Sequence, residues 1–364
     1  MDTKEKVFVG LSGGVDSSVA ALRLINQGYA VTGVFIKVWQ PDFLDCNWEQ
    51  ERLDAMRVAA KLDIPFLTCD AEQAYKDDVA DYFINEYKEG RTPNPDVMCN
   101  KYVKFGAFLR FAEEHGADYI ATGHYAQRNE NTAISSRSGL ELHRGIDTNK
   151  DQTYFLWTLT HEQLSKTLLP VGNSPKDQVR AEAENAGLIT AHKKDSQGVC
   201  FLGHIDIPEF LSHYIDLQEG RVLNEAGEVI GTHKGALVYT TGQRHGFSIH
   251  TKDAYRGALY VTNRDVENNT ITVSENRKET RQSERICLTS LNLIGSPITL
   301  LDTLELQTRY RQDPITCRAV AITDTTMEIE LLTETEQPSI GQSCVLYDGT
   351  RCLGGGIITQ CHSK

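Results

Sequence analysis

A glycine-rich loop between an apolar strand and a helix constrains this chain more than any other stretch. Residues 10–18 read Gly-Leu-Ser-Gly-Gly-Val-Asp-Ser-Ser, after the apolar run Val7–Val9 and before a helical run that begins at Val19. Adjacent glycines let the backbone turn sharply and direct its N–H groups at an anion. The helix, expected to begin near Asp16 or Ser17, adds the positive end of its dipole. The pattern predicts a phosphate-binding strand–loop–helix unit.

The loop differs from the two commonest phosphate loops. A Walker loop ends in Lys followed by Ser or Thr, a dinucleotide loop reads Gly-x-Gly-x-x-Gly, and neither is present. A plain glycine turn is the alternative, but the whole string resembles the pyrophosphatase (PP) loop of enzymes that release pyrophosphate from ATP and leave AMP on a substrate. Ser12, Ser17 and Ser18 offer hydroxyl donors, and the Asp16 carboxylate could hold Mg²⁺ together with the phosphates.

The order of elements predicts the fold class and the domains. Strands alternate with helices up to about residue 205, which indicates an α/β parallel sheet with helices on both faces and a ligand at the carboxyl ends of its strands. The resemblance of the loop implies that 1–205 is an ATP-binding catalytic domain of the PP-loop, adenine nucleotide alpha-hydrolase-like type, and the pattern predicts a small mixed linker domain over 206–283. Short β-runs with turn residues then predict a C-terminal β-barrel over 284–364.

Composition narrows the class of protein. The 364 residues include nine cysteines, an odd number without a C-x-x-C pair, which argues against a disulfide framework or a structural zinc site. No signal peptide or membrane-spanning stretch is visible, so we expect a cytoplasmic enzyme without a membrane partner. The net charge of −13 argues against a general polyanion binder but leaves RNA possible if basic residues gather on one face.

Cys99 and Asp96 are candidate reactive residues. Both prolines of the loop Gly90–Asp96 disfavour helix before them, so the pattern predicts a helix over 100–115 with Cys99 at its N-terminus. There the helix dipole would lower the thiol pKa and increase the thiolate fraction. Asp96 is within reach as an acid or base. Equally, Cys99 could be a small buried residue and Asp96 an N-cap.

Two further positions have a chemical and a purely structural interpretation. Cys200 lies in a loop with Lys193 and Lys194, where cations can stabilise a thiolate or persulfide, or it is incidental to a surface loop. His124 follows Gly123 at the end of a predicted strand, where it could contact substrate or be an ordinary buried histidine. These interpretations stay open on the residues alone.

The motifs together resemble the bacterial tRNA-specific 2-thiouridylases over essentially the whole chain. The resemblance rests on the glycine loop, Asn-Pro-Asp-Val-Met-Cys-Asn-Lys at 94–101, Thr-Gly-His-Tyr at 122–125, Asn-Lys-Asp-Gln at 149–152 and Lys-Asp-Ser-Gln-Gly-Val-Cys-Phe at 194–201. Gly-Gln-Arg-His-Gly at 242–246, Arg-Tyr-Arg at 309–311 and Cys-Leu-Gly-Gly-Gly at 352–356 extend it to the C-terminal part.

The resemblance implies a role for each matching residue. ATP binding falls to Gly10, Leu11, Ser12, Gly13, Gly14, Val15, Asp16, Ser17, Ile36 and Gly123, with Mg²⁺ as the accompanying cation. Cys99 is implied as nucleophile, Asp96 as acid–base group and Cys200 as the carrier of persulfide sulfur. Asn94, Pro95 and Asp96 would surround the target base, and tRNA would touch His124, Lys150, Asp151, Gln152, Arg309, Tyr310 and Gln342. The β-barrel is thereby implied to contact tRNA.

The implied reaction is the ATP-dependent 2-thiolation of the wobble uridine in tRNAs of the Lys, Glu and Gln types. ATP would adenylate uracil O2, and sulfur from a carrier protein would reach C2 by way of Cys200. Either Cys99 frees hydrosulfide from the persulfide, or the persulfide attacks the base before Cys99 resolves the adduct. The rival interpretations are a synthetase for a small metabolite, a non-catalytic RNA-binding protein and a thiol redox protein.

Overall fold

The computed structural model of this protein describes residues 4–44, 48–130, 139–194, 206–250, 257–276, 283–295, 297–333 and 335–362. A parallel sheet comes first in the chain, followed by a mixed sheet and a closed β-barrel. Within the described ranges, none of the helices is long and apolar enough to cross a membrane.

The first part of the chain contains the predicted alternation of strands and helices. Its strands are β1 (Lys6–Gly10), β2 (Ala30–Lys37), β3 (Phe66–Asp70), β4 (Tyr119–Ala121), β5 (Ala126–Glu130), β6 (Leu140–Arg144) and β7 (Thr167–Leu168). Its helices are α1 (Val15–Asn26), α2 (Trp48–Lys61), α3 (Glu72–Tyr75), α4 (Asp81–Lys88), α5 (Pro95–Met98), α6 (Phe108–Glu114), α7 (His161–Ser165) and α8 (Lys176–Asn185).

The parallel sheet has the strand order β3-β2-β1-β4-β7, and each neighbouring pair is parallel. The chain moves from β1 to β2 on one side and later returns to β4 on the other side of β1. Such a reversal opens a crevice at the carboxyl ends of the two central strands. The glycine loop follows β1 and Gly123 follows β4, so both lie at this crevice.

Helices cover both faces of the sheet, as the α/β pattern predicts. Phe8 of β1 packs into one core, which also contains Phe83 of α4 and Phe108 of α6. Its neighbours Val7 and Val9 point to the opposite core, which α1, α2 and α8 line. This alternation is expected because successive side chains of a strand face opposite sides.

The helix that carries Cys99 begins earlier than the predicted residue 100. Helix α5, a π-helical segment Cys99–Ala107 and α6 follow one another without a break. Pro95 takes the first helical position, where its missing N–H costs nothing and its fixed φ suits a helix. The Asn94 side chain caps this end by accepting the Val97 N–H at 3.3 Å. Proline thus starts this helix and does not delay it.

The sequence pattern predicts an amphipathic helix over Tyr75–Tyr87, and the observed helix is longer and less regular. It runs through α3, a π-helical segment Lys76–Ala80 and α4. The central part that follows has helix α9 (Ile207–Ser212) and a mixed sheet. Its strands are β8 (Gly220–Leu223), β9 (Val229–His233), β10 (Phe247–Ile249), β11 (Tyr260–Asp265) and β12 (Thr270–Ser274), in the order β10-β9-β8-β12-β11.

The last part of the chain is the predicted β-barrel. Its strands are β13 (Arg285–Leu293), β14 (Thr303–Gln307), β15 (Ile315–Ile322), β16 (Thr326–Leu331), β17 (Ser343–Asp348) and β18 (Arg351–His362). They follow the order β13-β16-β15-β14-β17-β18, and pairing of β13 with β18 closes the circle. A Cβ at Gly355 would lie 2.2 Å from the Cys344 carbonyl oxygen, so this glycine lets β18 pair closely on both sides.

Alternating residues from Glu130 to Arg144 predict a hairpin. The structure has the antiparallel pair β5 and β6, which starts earlier, at Ala126, and also joins the barrel. Strand β6 pairs antiparallel with the start of β18 through Arg351 and Cys352. The Arg144 N–H donates to the Thr350 carbonyl at 2.8 Å, and Arg351 Nη1 donates to Glu141 Oε1 at 3.2 Å. The hairpin therefore fixes the barrel to the parallel-sheet part.

Candidate active site

The glycine loop leads from β1 into α1 at the carboxyl edge of the parallel sheet. Gly14 is the extended N-cap residue of α1, and Gly13 has a φ of +69°, a conformation that favours glycine. The helix starts at Val15, so Asp16 and Ser17 lie in its first turn. Since the first N–H groups of a helix have no partner within it, they are available to an anion at this end.

Close packing explains two of the glycines predicted to bind nucleotide. A Cβ at Gly123 would lie 2.7 Å from the backbone nitrogen of Ser17 and 2.8 Å from the carbonyl carbon of Asp16. A Cβ at Gly13 would lie 2.9 Å from the Glu51 carbonyl oxygen. Gly123 therefore allows the end of β4 to touch the first turn of α1, and a side chain would push the loop away.

The serines of the loop have different surroundings. Ser18 is buried, and its hydroxyl donates to the Gly14 carbonyl at 2.7 Å. The Ser17 hydroxyl oxygen accepts the Ser12 N–H at 3.3 Å and supports the turn. Ser12 itself is exposed, so its side chain can reach a ligand.

The apolar residues assigned to nucleotide binding support the loop by packing against the interior of the protein. Leu11 and Val15 are buried, so only their backbone groups can serve a ligand. Ile36 is half-buried on β2, and its Cδ1 lies 3.5 Å from the position of a Cβ at Gly10. Ile36 thus borders the end of β1, where the family resemblance implies that the adenosine part of ATP binds.

The Asp16 carboxylate is engaged by two protein groups. Lys176 Nζ lies 2.7 Å from both Oδ1 and Oδ2, and the Tyr125 hydroxyl donates to Oδ1 at 2.7 Å. A magnesium ion on Asp16 would have to compete with this lysine. In the part of the chain that the structure describes, no group of three or more His, Cys, Asp or Glu residues could hold a metal ion. The surroundings of Asp16 therefore do not fit a protein-built magnesium site.

Cys99 lies one turn into the long helix, and it is buried at 3% exposure. Its backbone N–H bonds back to the carbonyls of Pro95 and Asp96, so Asp96 and Cys99 belong to the same first turns. Asp96 is half-buried. Because α6 leads into the amino end of β4, the opposite end of this helix lies toward the carboxyl edge of the sheet, where the glycine loop is. The order of elements thus directs the Cys99 end of the helix and the glycine loop toward the same edge of the parallel sheet.

The barrel holds the segment just ahead of Asn94 and Cys99. Gln342 Nε2 donates to the Thr92 carbonyl at 2.9 Å and to the Pro93 carbonyl at 3.1 Å. The Thr92 N–H donates to the Ile340 carbonyl at 2.9 Å. Gln342, predicted to touch tRNA, therefore also positions the loop that leads to the candidate nucleophile.

The central part of the chain holds the same segment from another side. Arg264 Nη2 donates to the Gly90 carbonyl, and its Nη1 donates to the Tyr239 carbonyl at 2.7 Å. The hydroxyls of Thr92 and Thr240 lie 3.3 Å apart. Burial lowers the pKa of Arg264 from its ordinary value. The barrel and the central part of the chain thus both hold loop 90–94.

The predicted tRNA-contact residues at 150–152 lie in a tightly bonded loop. Asp151 is buried and accepts hydrogen bonds from Arg144 Nη1 at 2.9 Å and from the Gly145 N–H at 3.0 Å. The Gln152 side chain accepts the Tyr125 N–H at 3.0 Å. Lys150 is half-buried, and its N–H donates to the Asp147 carbonyl at 2.9 Å. Asp151 and Gln152 hold this loop in shape.

His124 is buried beside Thr122 and Phe105. Its Nδ1 lies 2.8 Å from the Thr122 hydroxyl, and its ring centre lies 5.7 Å from that of Phe105. Burial, with a smaller contribution from the positive charge of Lys104, lowers the pKa of His124 well below its ordinary value. These contacts are those of the core histidine that the sequence left as one alternative.

The barrel residues predicted to contact tRNA meet the first part of the chain. The Tyr310 ring centre lies 4.6 Å from that of Phe155, and the Arg311 guanidinium lies 5.1 Å from the centre of the Tyr310 ring. Arg311 Nε also donates to the Asn149 carbonyl at 3.1 Å. The Arg309 side chain is 56% exposed, with Glu336 at 4.0 Å. The exposed guanidinium of Arg309, the Tyr310 ring and loop 147–152 therefore lie next to one another.

Cys200 and its neighbours 195–205 lie outside the described residues. The preceding Lys193 donates to Asp54 Oδ2 at 2.8 Å. Asp54 in turn borders the nucleotide loop, because its Cβ lies 3.0 Å from the position of a Cβ at Gly13. The Lys193 side chain thus reaches a residue that borders the glycine loop.

Sequence reasoning missed Lys176, Tyr125 and Arg264. Tyr125 is the last residue of the Thr-Gly-His-Tyr motif, and that was the one available signal. Lys176 opens a helix behind Pro175 without any motif, and Arg264 lies in an ordinary β-strand. Their roles depend on partners far away along the chain.

Comparisons with known proteins cover the whole chain. Residues 5–204 match the family model described as the tRNA methyl transferase HUP domain. Residues 208–275 match the tRNA methyl transferase PRC-barrel domain, and residues 283–358 match the aminomethyltransferase beta-barrel domain. The tRNA-specific 2-thiouridylase MnmA of Klebsiella pneumoniae (strain 342) is 45% identical, over 99% of this chain and 98% of the relative. The proteins of the same name from Shigella dysenteriae serotype 1 and Escherichia coli (strain K12 / DH10B) are 44% identical over the same shares.

Proposed function

This chain belongs to the family of tRNA-specific 2-thiouridylases, and we propose that it catalyses the ATP-dependent 2-thiolation of the wobble uridine in tRNA. The observation that carries the proposal is the identity of 45% over 99% of the chain with a relative of that name. The glycine loop and the helix of Cys99, turned toward one side of the sheet, support it. We propose that residues 1–205 form the ATP-binding catalytic domain, residues 206–283 a small linker domain and residues 284–364 a β-barrel that contacts tRNA.

We assign ATP to the glycine loop. The unpartnered N–H groups at the start of α1 and the Ser12 hydroxyl would bind the phosphates. Gly10 and Ile36 lie together at the end of β1, and Gly123 lies against the first turn of α1. These three positions would hold the adenosine part. Magnesium would accompany ATP on its phosphate oxygens, as this ion commonly does.

Adenylation makes the 2-position of uracil reactive. Uracil O2 is a poor leaving group, so we propose that O2 attacks the α-phosphorus of ATP while pyrophosphate leaves. Asp96, in the first turn of α5, is the proposed acid–base group, and Asn94 and Pro95 would border the base. The target base must leave its stack to enter such a site.

Sulfur then replaces the adenylated oxygen by one of two routes. In one, the terminal sulfur of a Cys200 persulfide attacks C2 and AMP leaves, after which the Cys99 thiolate attacks the Cys200 sulfur and releases the thiolated base. In the other, Cys99 attacks the Cys200 sulfur first and frees hydrosulfide, which attacks C2 and displaces AMP. Both routes end in a disulfide between Cys99 and Cys200, which an external thiol must reduce. The two Cα atoms must therefore approach to within about 7 Å.

Mass analysis of nucleosides tests the proposal directly. Unmodified tRNAs of the Lys, Glu and Gln types are incubated with the protein, ATP, Mg²⁺ and a persulfide-bearing carrier protein, then digested and analysed. We expect 2-thiouridine at the wobble position that requires both ATP and the protein. A matched tRNA with cytidine at that position should remain unmodified.

Pyrophosphate release separates the rival functions. Pyrophosphate release that tRNA stimulates without thiolation would support the adenylation step and indicate that the wrong sulfur donor was supplied. Release stimulated by a small metabolite and not by tRNA would contradict the proposal and favour a metabolite synthetase. Absent release in the presence of ATP and tRNA would favour a non-catalytic RNA-binding protein.

Replacing Gln342 with leucine tests what this amide does. The variant loses two hydrogen bonds to loop 90–94, so we expect its free energy of unfolding to fall by about 1–2 kcal/mol. We also expect a lower kcat for thiolation with an unchanged Kd for tRNA, because the catalytic helix loses part of its support. Thermal unfolding, steady-state kinetics and tRNA binding measure the three quantities. A raised Kd for tRNA with unchanged stability would instead identify Gln342 as an RNA contact alone.

A further inference from the structure

Lys176 is a buried lysine at the start of α8, and its ammonium group lies against the nucleotide loop. Its side chain is 9% exposed and faces both carboxylate oxygens of Asp16 at 2.7 Å. Nζ also lies 5.6 Å from the centre of the Tyr125 ring. A lysine buried to this degree needs a negatively charged partner to remain charged. The proposed reaction gives this lysine no task.

The loop 147–152 holds this ion pair through two connections. In the first, the Asp147 carboxylate accepts the backbone N–H of Lys176 at 2.9 Å. In the second, Gln152 accepts the Tyr125 N–H at 3.0 Å and donates its own backbone N–H to the Tyr125 carbonyl at 2.9 Å. The Tyr125 hydroxyl then donates to Asp16 at 2.7 Å. Two residues anchored on one loop therefore hold Asp16.

The position of Asp16 makes this pairing important for an anionic ligand. Asp16 lies in the first turn of α1, where the helix dipole and the unpartnered N–H groups favour a phosphate. A carboxylate without a nearby cation would repel a polyphosphate at the same place. The Lys176 ammonium neutralises that charge at 2.7 Å.

We propose that Lys176 is a positioning residue for the nucleotide loop. It neutralises Asp16 and, with the Tyr125 hydroxyl, fixes this carboxylate against the first turn of α1, so that the loop accepts a triphosphate. The inference rests on the proposed function because it takes ATP as the ligand of the loop. It adds that the loop depends on a cation from α8, a helix far away along the chain.

Equilibrium dialysis with labelled ATP, on the whole protein without tRNA, tests the inference. In Lys176→Met the Asp16 charge is unpaired, so we expect the Kd for ATP to rise about tenfold or more. Adding Asp16→Asn removes that charge, and we expect the double variant to bind ATP within about threefold of Asp16→Asn alone. Such recovery would mean that Lys176 acts by neutralising Asp16. If Lys176 bound phosphate directly, removing the Asp16 charge would not restore the lost contact.

Glu182→Gln is the matched control. Glu182 accepts from Arg23 at 2.6 Å and forms another polar link between α1 and α8, so its loss weakens the same helix pair away from the loop. We expect its Kd for ATP to remain at the wild-type value. Thermal unfolding checks that each variant folds. If Lys176→Met alone does not fold, the test is the Kd for ATP of the double variant, compared with that of Asp16→Asn.

The outcomes separate this inference from the proposed function. Wild-type affinity in Lys176→Met would overturn the positioning role while leaving ATP binding intact. A loss in Lys176→Met that Asp16→Asn does not recover would also overturn it, because Lys176 would then contact the nucleotide directly. If the wild-type protein does not bind ATP, the proposed function fails, and the inference with it.

Discussion

Replacing Cys99 with serine should abolish 2-thiouridine formation, lowering the rate by about a thousandfold or more. The thiolate is the nucleophile in both proposed routes, and a serine hydroxyl is not ionised at neutral pH. Serine is nearly the same size as cysteine, so a side chain that is 3% exposed can change without a cavity. We expect tRNA binding and tRNA-stimulated pyrophosphate release to persist, because adenylation precedes sulfur transfer. Nucleoside mass analysis measures sulfur transfer, and a pyrophosphate assay measures adenylation.

Cys317→Ala is the control for this variant. Cys317 lies in the barrel core with no exposed surface, and burial raises the pKa of its thiol to about 12. We expect this variant to thiolate tRNA at the wild-type rate. Wild-type thiolation by Cys99→Ser would refute the role of Cys99. Cys200→Ser should also lose thiolation and retain tRNA binding.

Replacing Gly123 with alanine should reduce kcat/KM for ATP by about a hundredfold, since a displacement of about 1 Å at a site can cost that much. The new Cβ would lie 2.7 Å from the Ser17 nitrogen, so the first turn of α1 must move. The affected atoms belong to backbone and cannot rotate away. ATP-dependent pyrophosphate release in the presence of tRNA measures the effect.

Gly257→Ala separates this steric effect from the general cost of losing a glycine. A Cβ at Gly257 would approach the far end of the Glu275 side chain at 3.4 Å, and that side chain can rotate away. We expect wild-type ATP kinetics in this variant. Unchanged ATP kinetics in Gly123→Ala would mean that the approach of β4 to α1 does not support nucleotide binding.

The architecture could be predicted because each of its signals is local. The apolar strand, the glycines and the following helix at 6–26 lie within one short stretch. The local pattern from about Trp48 to Lys61 likewise predicts a helix, which the structure shows as α2 with these bounds. The sequence pattern predicts too late a start for the helix of Cys99, because prolines disfavour helix before them. A proline at the first helical position starts a helix, and the Asn94 cap was the signal to weigh.

The partners of the site residues could not be predicted because they come from distant parts of the chain. Nothing near Lys176 indicates that it faces Asp16, and nothing near Gln342 indicates that it donates to the Thr92 carbonyl. Each contact exists only after the sheet and the barrel have assembled. The roles of Cys99, Asp96 and Cys200 therefore remain predictions that rest on motifs and family membership.

The pairing of hairpin β5–β6 with β18 has a consequence for how the protein is made. The ribosome synthesises the hairpin long before Arg351 and Cys352, which pair with β6. Until then, the nascent chain presents an unpaired strand edge, the kind of surface through which chains associate wrongly. The parallel sheet can therefore form early during translation, whereas the outer edge of β6 is covered only after the barrel has been synthesised.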